Sequence, residues 1–326
     1  MSAEIEDLTR RATIALSHWD MPAQVPELLK YRENAVFKVQ FESGEPAALR
    51  LHRPGYHSEA ALRSELAFMK VLGDHGLDVP KPIATKTGAL LAPVTGEEPQ
   101  FVDLIGWVAG RQVGESGKPL DHSDAEVADI YHNIGVAMAR LHNIADRWQA
   151  PSAFTRPSWD KAGLVGDRPL WGRFWDCPGL AEQDRDFLTD LRDRLRRRIE
   201  ALPVDLDYGL IHADLVRENV LVDGDHVALI DFDDCGYGWR LFDIATALLR
   251  NRREPRYASI TASLIEGYRS HRALDEATLA NLPLFLLLRG VTYIGWAAER
   301  PELPDHEARL ARYTAEVREL AREAGL

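Results

Sequence analysis

The 326-residue chain is poor in cysteine and has no excess of positive charge. Its two cysteines, Cys177 and Cys235, are too few for a disulfide framework or a cysteine-rich zinc site. The formal net charge of -12 at pH 7 argues against a nucleic-acid surface, because such a surface needs basic side chains that neutralise phosphates. We therefore expect a protein of the reducing cytoplasm whose partner is not a nucleic acid.

We also expect neither a membrane-spanning run nor a secretory signal in this sequence. The first twenty residues carry acidic side chains where a secretory signal has positive charge, and they contain no apolar core segment. The most apolar run, residues 282–298, contains Pro283 and Arg289 and falls short of a full membrane span. We expect this run to form a buried helix, and we expect no membrane partner.

The residues that are present describe a globular protein with two unequal parts. Apolar residues make up 45% and charged residues 28% of the chain, as in soluble domains. Residues 1–108 are rich in β-forming runs, whereas residues 109–326 show mostly helical periodicity, which predicts two domains with these boundaries. The main predicted elements are a β-hairpin over 36–41 and 47–52 and helices over 58–74, 124–142, 184–201 and 282–298.

Three side chains suited to phosphate chemistry fall within 18 residues. Asp214 follows a predicted strand, Asn219 opens an apolar strand, and Asp231 ends another. A carboxylate at the end of a buried strand is costly unless it meets a cation. Kinase-type phosphoryl transfer uses one carboxylate to orient and deprotonate the attacking hydroxyl, and an amide with a second carboxylate to hold magnesium. A lone Asp more often caps a turn, but this spacing favours the kinase interpretation.

Two further acidic residues, Asp233 and Asp234, follow the predicted metal ligand directly. Three carboxylates within four residues repel one another unless a cation lies among them. The alternative is that these side chains face water in the next turn, and for Asp234 the two interpretations are equally balanced.

The catalytic segment and its neighbours together resemble a known family. The motif His-Ala-Asp-Leu-x-x-x-Asn-Val-Leu-Val at 212–222, the metal motif at 230–234 and the Phe-Asp-Ile-Ala sequence at 242–245 resemble the aminoglycoside phosphotransferase and choline kinase superfamily. The resemblance implies an α+β, protein-kinase-like fold with a nucleotide-binding lobe and a helical catalytic lobe. It also implies ATP and Mg²⁺ as cofactors, Asp214 as catalytic base, and Asn219 and Asp231 as metal ligands.

The resemblance extends to the predicted hairpin upstream. The segment 33–39, which contains Asn34, resembles the nucleotide loop, and 48–52 resembles the strand that supplies a basic residue for the phosphates. The resemblance implies cofactor-binding roles for Asn34, for Arg50 and for its predicted partner Glu65. Arg50 stands where a lysine is expected, and its planar fork is not equivalent to an ammonium. The alternative is that Arg50 and Glu65 are solvent-exposed surface residues.

A narrower resemblance rests on two further segments. Residues 53–56 and 289–296 resemble the branch that contains stress-response kinase A, type II homoserine kinase and hydroxylysine kinase. This resemblance implies that Arg289 lies near the acceptor pocket, with Asp233 as a second substrate contact. Aromatic residues at helical spacing, such as Tyr293 and Trp296, are more often simply part of the core.

These observations predict a magnesium- and ATP-dependent kinase in the cytoplasm. The expected acceptor is a hydroxyl of a small molecule such as an amino acid, an amino alcohol or an aminoglycoside. Two alternatives stay open: a Ser/Thr protein kinase of the stress-response type, and a pseudokinase that binds nucleotide without turnover. Fold and motif do not name the acceptor or the oligomeric state.

Overall fold

The computed structural model describes residues 3–31, 34–94, 99–302 and 305–326. The chain divides into two compact units. The first unit comprises residues 1–110, 148–156 and 228–230, and the second comprises residues 111–147, 157–227 and 231–326. Two short segments far along the chain therefore join the first unit, and no local pattern in the sequence indicates this.

The first unit is built on a five-stranded antiparallel sheet with the strand order β1-β2-β3-β5-β4. Its elements are α1 (Ala3–Ala15), β1 (Glu27–Tyr31), β2 (Asn34–Gln40), β3 (Pro46–His52), α2 (Glu59–Asp74), β4 (Ala92–Val94) and β5 (Gln100–Gly106). Alternate residues of β2 are buried, as expected for a strand with one face on a core. The hairpin between β2 and β3 turns at Gly44, whose φ of 86° favours glycine.

The register of this sheet places two charged residues side by side. Arg50 on β3 pairs with Asp103 on β5, so their side chains emerge next to each other. Helix α2 begins after Ser58, whose Oγ accepts a hydrogen bond from the backbone N–H of Ala61. Its buried face includes Glu65, which is fully enclosed.

The second unit is mainly helical. Its elements are β6 (Arg111–Gln112), α3 (Asp124–Arg147), β7 (Ser158–Trp159), α4 (Lys161–Val165), α5 (Glu182–Glu200), β8 (Tyr208–Ile211), β9 (Val220–Asp223), β10 (His226–Leu229, which runs into the 228–230 segment of the first unit), β11 (Gly236–Trp239), α6 (Arg240–Leu249), α7 (Tyr257–Arg269), α8 (Glu276–Leu279), α9 (Leu282–Ala298) and α10 (His306–Glu323). Strand β11 lies between β7 and β8, and β6 pairs with β9.

Helix α9 forms the core of this unit, as predicted for residues 282–298. Fourteen of its residues are buried, including the charged residue Arg289. Within the described residues, Glu276–Ala298 is the one helical stretch long and apolar enough to cross a membrane, but 67% of its apolar window is buried in the fold. A core helix has these properties, because an element packed on all sides is apolar all round.

The predicted hairpin and the four predicted helices are confirmed, with ends that differ by a few residues. The helix predicted over 124–142 continues to Arg147, and the one predicted over 184–201 runs from Glu182 to Glu200. Strands β1, β6, β7 and β11 were not predicted. Strand β11 reads Gly-Tyr-Gly-Trp, and its glycines weaken any strand signal. Glu33, in the predicted nucleotide loop, lies outside the described residues.

Candidate active site

The loop after β8 carries Asp214 and is held by a buried carboxylate on α6. Asp243 accepts hydrogen bonds from the backbone N–H groups of His212, at 2.9 Å, and Ala213, at 2.7 Å. Ala213 has a φ of 68°, a left-handed conformation that is uncommon for residues other than glycine. The two hydrogen bonds to Asp243 stabilise this conformation, and they thereby fix the backbone that leads into Asp214.

A buried histidine supports Asp243 from behind. His142 Nε2 lies 3.1 Å from Asp243 Oδ2, and His142 Nδ1 lies 2.9 Å from the hydroxyl of Tyr268. Burial and the nearby Arg240 lower the pKa of His142 to about 4, so the ring is neutral at pH 7. Burial acts to raise the pKa of Asp243, but the hydrogen bonds that it accepts from His142 and from the backbone of His212 outweigh it and lower that pKa. Asp243 is therefore an ionised acceptor.

The other end of the loop is fastened through Arg217. Its buried guanidinium donates to the side chain of Asn251 at 2.8 Å, to the carboxylate of Glu254 at 2.7 Å and to the backbone carbonyl of Lys118 at 2.8 Å. Asn251 also accepts a hydrogen bond from the hydroxyl of Tyr131 at 2.7 Å. With one end held by α6 and the other by the turn that follows α6, the loop is a rigid support for the residues between them.

Asp214 and Asn219 are in direct contact across this loop. The side-chain amide nitrogen of Asn219 donates to Asp214 Oδ2 at 2.8 Å and to the backbone carbonyl of Asp214 at 2.9 Å. Because the amide nitrogen makes both contacts, the amide oxygen of Asn219 is left for a cation. The ring of His212 packs on Phe232 and its Nδ1 accepts from the backbone N–H of Asp214, so this histidine holds the loop.

Asp231, the second predicted metal ligand, also has an unusual backbone. Its φ of 66° is left-handed and its side chain is partly exposed, directly after β10. Within the described residues, no group of three or more His, Cys, Asp or Glu side chains is arranged to hold a metal ion. Magnesium takes few protein ligands and prefers oxygens of carboxylates, water and phosphates, so the amide oxygen of Asn219 and the carboxylate of Asp231 are each of a type that it accepts, and their role as its ligands stays a prediction.

Arg289 lies against the predicted catalytic base. Its guanidinium is fully buried and donates to Asp214 Oδ1 at 2.5 Å and to the hydroxyl of Tyr293 at 3.2 Å. The guanidinium also stacks on Trp171, with 4.3 Å from Cζ to the ring centroid. Arg289 was predicted to contact substrate; the structure places it where it orients Asp214, and its substrate contact stays a prediction.

A second acidic residue lies close to Asp214. Asp234 accepts a hydrogen bond from Trp171 Nε1 at 3.0 Å. The pKa of Asp234 is raised to about 7. Its removal from water is the largest cause, and the negative charges of Asp214 and Asp233 add to it. Asp233, the predicted substrate contact, is 8% exposed. The structure thus places Asp234 near the base, with a side chain that is only partly exposed.

In the first unit, the residues predicted to bind nucleotide form a buried network. Arg50 donates to Glu65 Oε1 at 2.7 Å, and both side chains are enclosed, so neither is the solvated surface residue of the alternative interpretation. Arg50 also pairs with Asp103. His52 lies 2.7 Å from Asp103 and 3.0 Å from the side-chain oxygen of Asn34, which extends the network to the start of β2.

The residues of these networks that sequence reasoning missed include Asp103, Trp171 and Asp243. A signal existed for Asp103, since a carboxylate inside an apolar strand needs a cation. Asp243 lies in the Phe-Asp-Ile-Ala motif, which by itself indicates no role for it. Trp171 lies in a loop that carries no periodic pattern, so only the fold brings it to Asp234.

An α+β fold with this catalytic loop defines a kinase-like phosphotransferase. Residues 25–279 match the phosphotransferase enzyme family, and the chain belongs to this family. It is an enzyme that transfers phosphate to a hydroxyl acceptor.

Several relatives carry assigned activities. A homoserine kinase of Nitrobacter winogradskyi is 31% identical over 77% of this chain and 76% of its own length. An amicoumacin kinase of Bacillus subtilis is 25% identical over 81% of this chain and 76% of its own length.

The structure is also similar to solved kinases. A microcompartment-associated aminopropanol kinase has a TM-score of 0.82 and 31% identity, and covers 96% of this chain and 98% of its own. An amicoumacin kinase in complex with AMP-PNP, Ca²⁺ and amicoumacin has a TM-score of 0.80 at 22% identity, over 98% of this chain and 96% of its own, a likeness of fold.

Proposed function

We propose that the chain is a magnesium- and ATP-dependent kinase that phosphorylates a hydroxyl of a small molecule bearing an amino group, in the cytoplasm. The observation that carries the proposal is the rigid loop that presents Asp214 and Asn219 together. The homoserine and aminopropanol kinase activities of similar proteins support an amino acid or amino alcohol as the acceptor.

In this proposal Asp214 is the catalytic base. It accepts the proton of the acceptor hydroxyl while the hydroxyl oxygen attacks the γ-phosphorus and ADP leaves. Its two oxygens already accept from Arg289 and Asn219, which fix the carboxylate in one orientation, and each oxygen keeps a lone pair for the incoming proton. Asn219 and Asp231 hold Mg²⁺, which when bound neutralises charge on the phosphates. Arg50, aligned by Glu65, contacts phosphate.

The acidic surroundings of the base support an amino-bearing acceptor. Asp234 has Trp171 as hydrogen-bond donor and lies near the negative charges of Asp214 and Asp233. An ammonium group close to Asp234 would offset this charge, because an opposite charge stabilises the ionised carboxyl. We therefore propose Asp234 as the contact for the acceptor's ammonium, with Asp233 and Arg289 as nearby contributors.

The test begins with Asp214→Ala. We expect this variant to lose phosphate transfer by about 1,000-fold or more, because the base is gone, and to keep its affinity for ATP. ADP release is measured over amino acids, amino alcohols, aminoglycosides and a generic protein acceptor. Asp223→Ala, an exposed residue at the end of β9, is the control and should behave like the wild type. Turnover by Asp214→Ala at the wild-type rate would contradict the proposal.

A further inference from the structure

Arg50 is held by two carboxylates: that of Glu65, its predicted partner, and that of Asp103, which was not predicted. Its Nε and Nη2 atoms donate to the two oxygens of Asp103, each at 2.8 Å, as a bidentate fork. Its Nη1 atom donates to Glu65 Oε1 at 2.7 Å. Asp103 and Glu65 are both 0% exposed. The guanidinium is therefore fixed from β5 on one side and from α2 on the other.

These contacts use three of the five N–H groups of the guanidinium. One hydrogen on Nη1 and one on Nη2 remain without a partner among the described residues. Two neighbouring N–H groups match the oxygens of a phosphate group. A lysine at position 50 has three N–H groups, so a lysine that bridged the same two carboxylates would keep one for phosphate.

The buried negative charges of Asp103 and Glu65 require a cation between them. Burial alone would raise the pKa of Asp103, but the charges of Arg50 and His52 lower it to about 2, so the carboxyl is ionised. Arg156 lies 3.8 Å from the other oxygen of Glu65 and adds a second positive charge. A buried ionised Asp103 needs a cation with a fixed geometry, which an arginine provides.

We propose that Asp103 is a positioning residue of the nucleotide site, and that it fixes Arg50 so that the two remaining N–H groups bind phosphate. This inference rests on the proposed function, because it takes the phosphates of a nucleotide as the ligand of Arg50. It also gives a physical reason for arginine at position 50: with Asp103 present, only the five-donor side chain holds both carboxylates and still offers a fork to phosphate.

The experiment compares a nucleotide that has phosphates with one that has none. Binding of Mg·AMP-PNP and of adenosine to the full chain is measured by titration calorimetry for the wild type, Asp103→Asn, Arg50→Lys and the double variant. We expect Asp103→Asn and Arg50→Lys each to weaken Mg·AMP-PNP binding about 10-fold, and adenosine binding less than 2-fold. In the Arg50→Lys background, Asp103→Asn should weaken Mg·AMP-PNP binding by less than a further 2-fold, because the two residues act through one contact.

The matched control is Glu59→Gln, an exposed acid on α2 that pairs with Arg63 and should bind both ligands as the wild type does. Wild-type affinity of Asp103→Asn for Mg·AMP-PNP, or an equal loss for adenosine, would overturn the inference and leave the proposed kinase activity standing. If Asp103→Asn does not fold, Arg50→Lys is the test. A ratio of Mg·AMP-PNP affinity to adenosine affinity equal to that of the wild type would then overturn the inference. A wild-type chain that does not bind Mg·AMP-PNP overturns the proposed function as well.

Discussion

At the scale of single residues, the predicted catalytic base is defined by the groups that hold it. Asp214 has one oxygen on Arg289 and the other on Asn219, so its carboxylate has little freedom to rotate. A base held in this way loses little orientational freedom when the acceptor binds. The contribution of Arg289 can be separated from that of the base itself.

Arg289→Lys should lower kcat about 10- to 100-fold and leave ATP affinity unchanged, because a lysine cannot reproduce the planar contact with Asp214 and Trp171. Steady-state kinetics with the acceptor found by the screen measure this. Arg300→Lys is the matched control: Arg300 also stacks on a tryptophan, Trp296, at 4.6 Å. An equal fall of kcat in both variants would contradict a specific role for Arg289.

A second prediction concerns Asp234 and pH. Its pKa, about 7 in the folded protein against a usual 3.8, means that folding favours the protonated form. The contribution of Asp234 to the free energy of unfolding is therefore fully present below about pH 4 and is lost as the pH rises through about 7. Asp234→Asn is neutral at every pH, so its melting temperature should exceed that of the wild type by a margin that grows from pH 4.5 to pH 8.

Thermal unfolding at several pH values measures this margin. Asp223→Asn serves as an exposed control, and its margin over the wild type should stay constant across the range. A constant margin for Asp234→Asn would show that its carboxyl does not titrate differently in the folded protein.

At the scale of elements, α9 carries Arg289 and has glycines on two of its faces. A Cβ on Gly295 would lie 2.5 Å from the backbone oxygen of Gly172 and 2.6 Å from that of Trp171. A Cβ on Gly290 would meet only side chains, at 2.7 Å from a methyl group of Leu320. A Cβ at position 295 would clash with the backbone of the loop that holds Trp171 over Arg289, so the loop would have to move. A Cβ at position 290 could be accommodated by rotation of the Leu320 side chain.

Gly295→Ala should therefore destabilise the protein by about 1–3 kcal/mol and reduce activity, because the loop at 171–172 has to move away. Gly290→Ala should change stability by less than about 1 kcal/mol, since alanine is the better helix former and offsets the leucine shift. Denaturant unfolding and ADP release measure both effects. Equal stability of the two variants would rule out the close approach of α9 to this loop.

At the scale of the whole molecule, ligand binding should increase the stability of the folded state. A ligand at about 100 times its dissociation constant stabilises the folded state by about 2.7 kcal/mol. AMP-PNP should therefore raise the melting temperature, and added Mg²⁺ should raise it further. Asn219→Ala and Asp231→Ala should lose the magnesium-dependent part only.

Thermal shifts with AMP-PNP, with and without Mg²⁺ or EDTA, separate these contributions. Asp223→Ala is again the control, because it is a nearby exposed acid outside the proposed metal site. A full magnesium-dependent shift in Asn219→Ala and Asp231→Ala would remove both residues from that site.

The sequence by itself was enough for the hairpin, the main helices and the phosphotransferase family, because hydrophobic periodicity and the 212–234 motif are local patterns. It did not reveal that 148–156 and 228–230 join the first unit, nor strand β11, because these depend on contacts distant along the chain.

Only the tertiary structure decided which charged residues meet. The sequence paired Arg50 with Glu65, but the strand register added Asp103. It predicted Arg289 near the acceptor, which stays a prediction, and only helix packing revealed that its guanidinium contacts Asp214. Ion pairs between distant residues depend on the geometry of the whole fold and leave no periodic pattern in the chain, whereas helices and strands reflect the spacing of neighbouring residues.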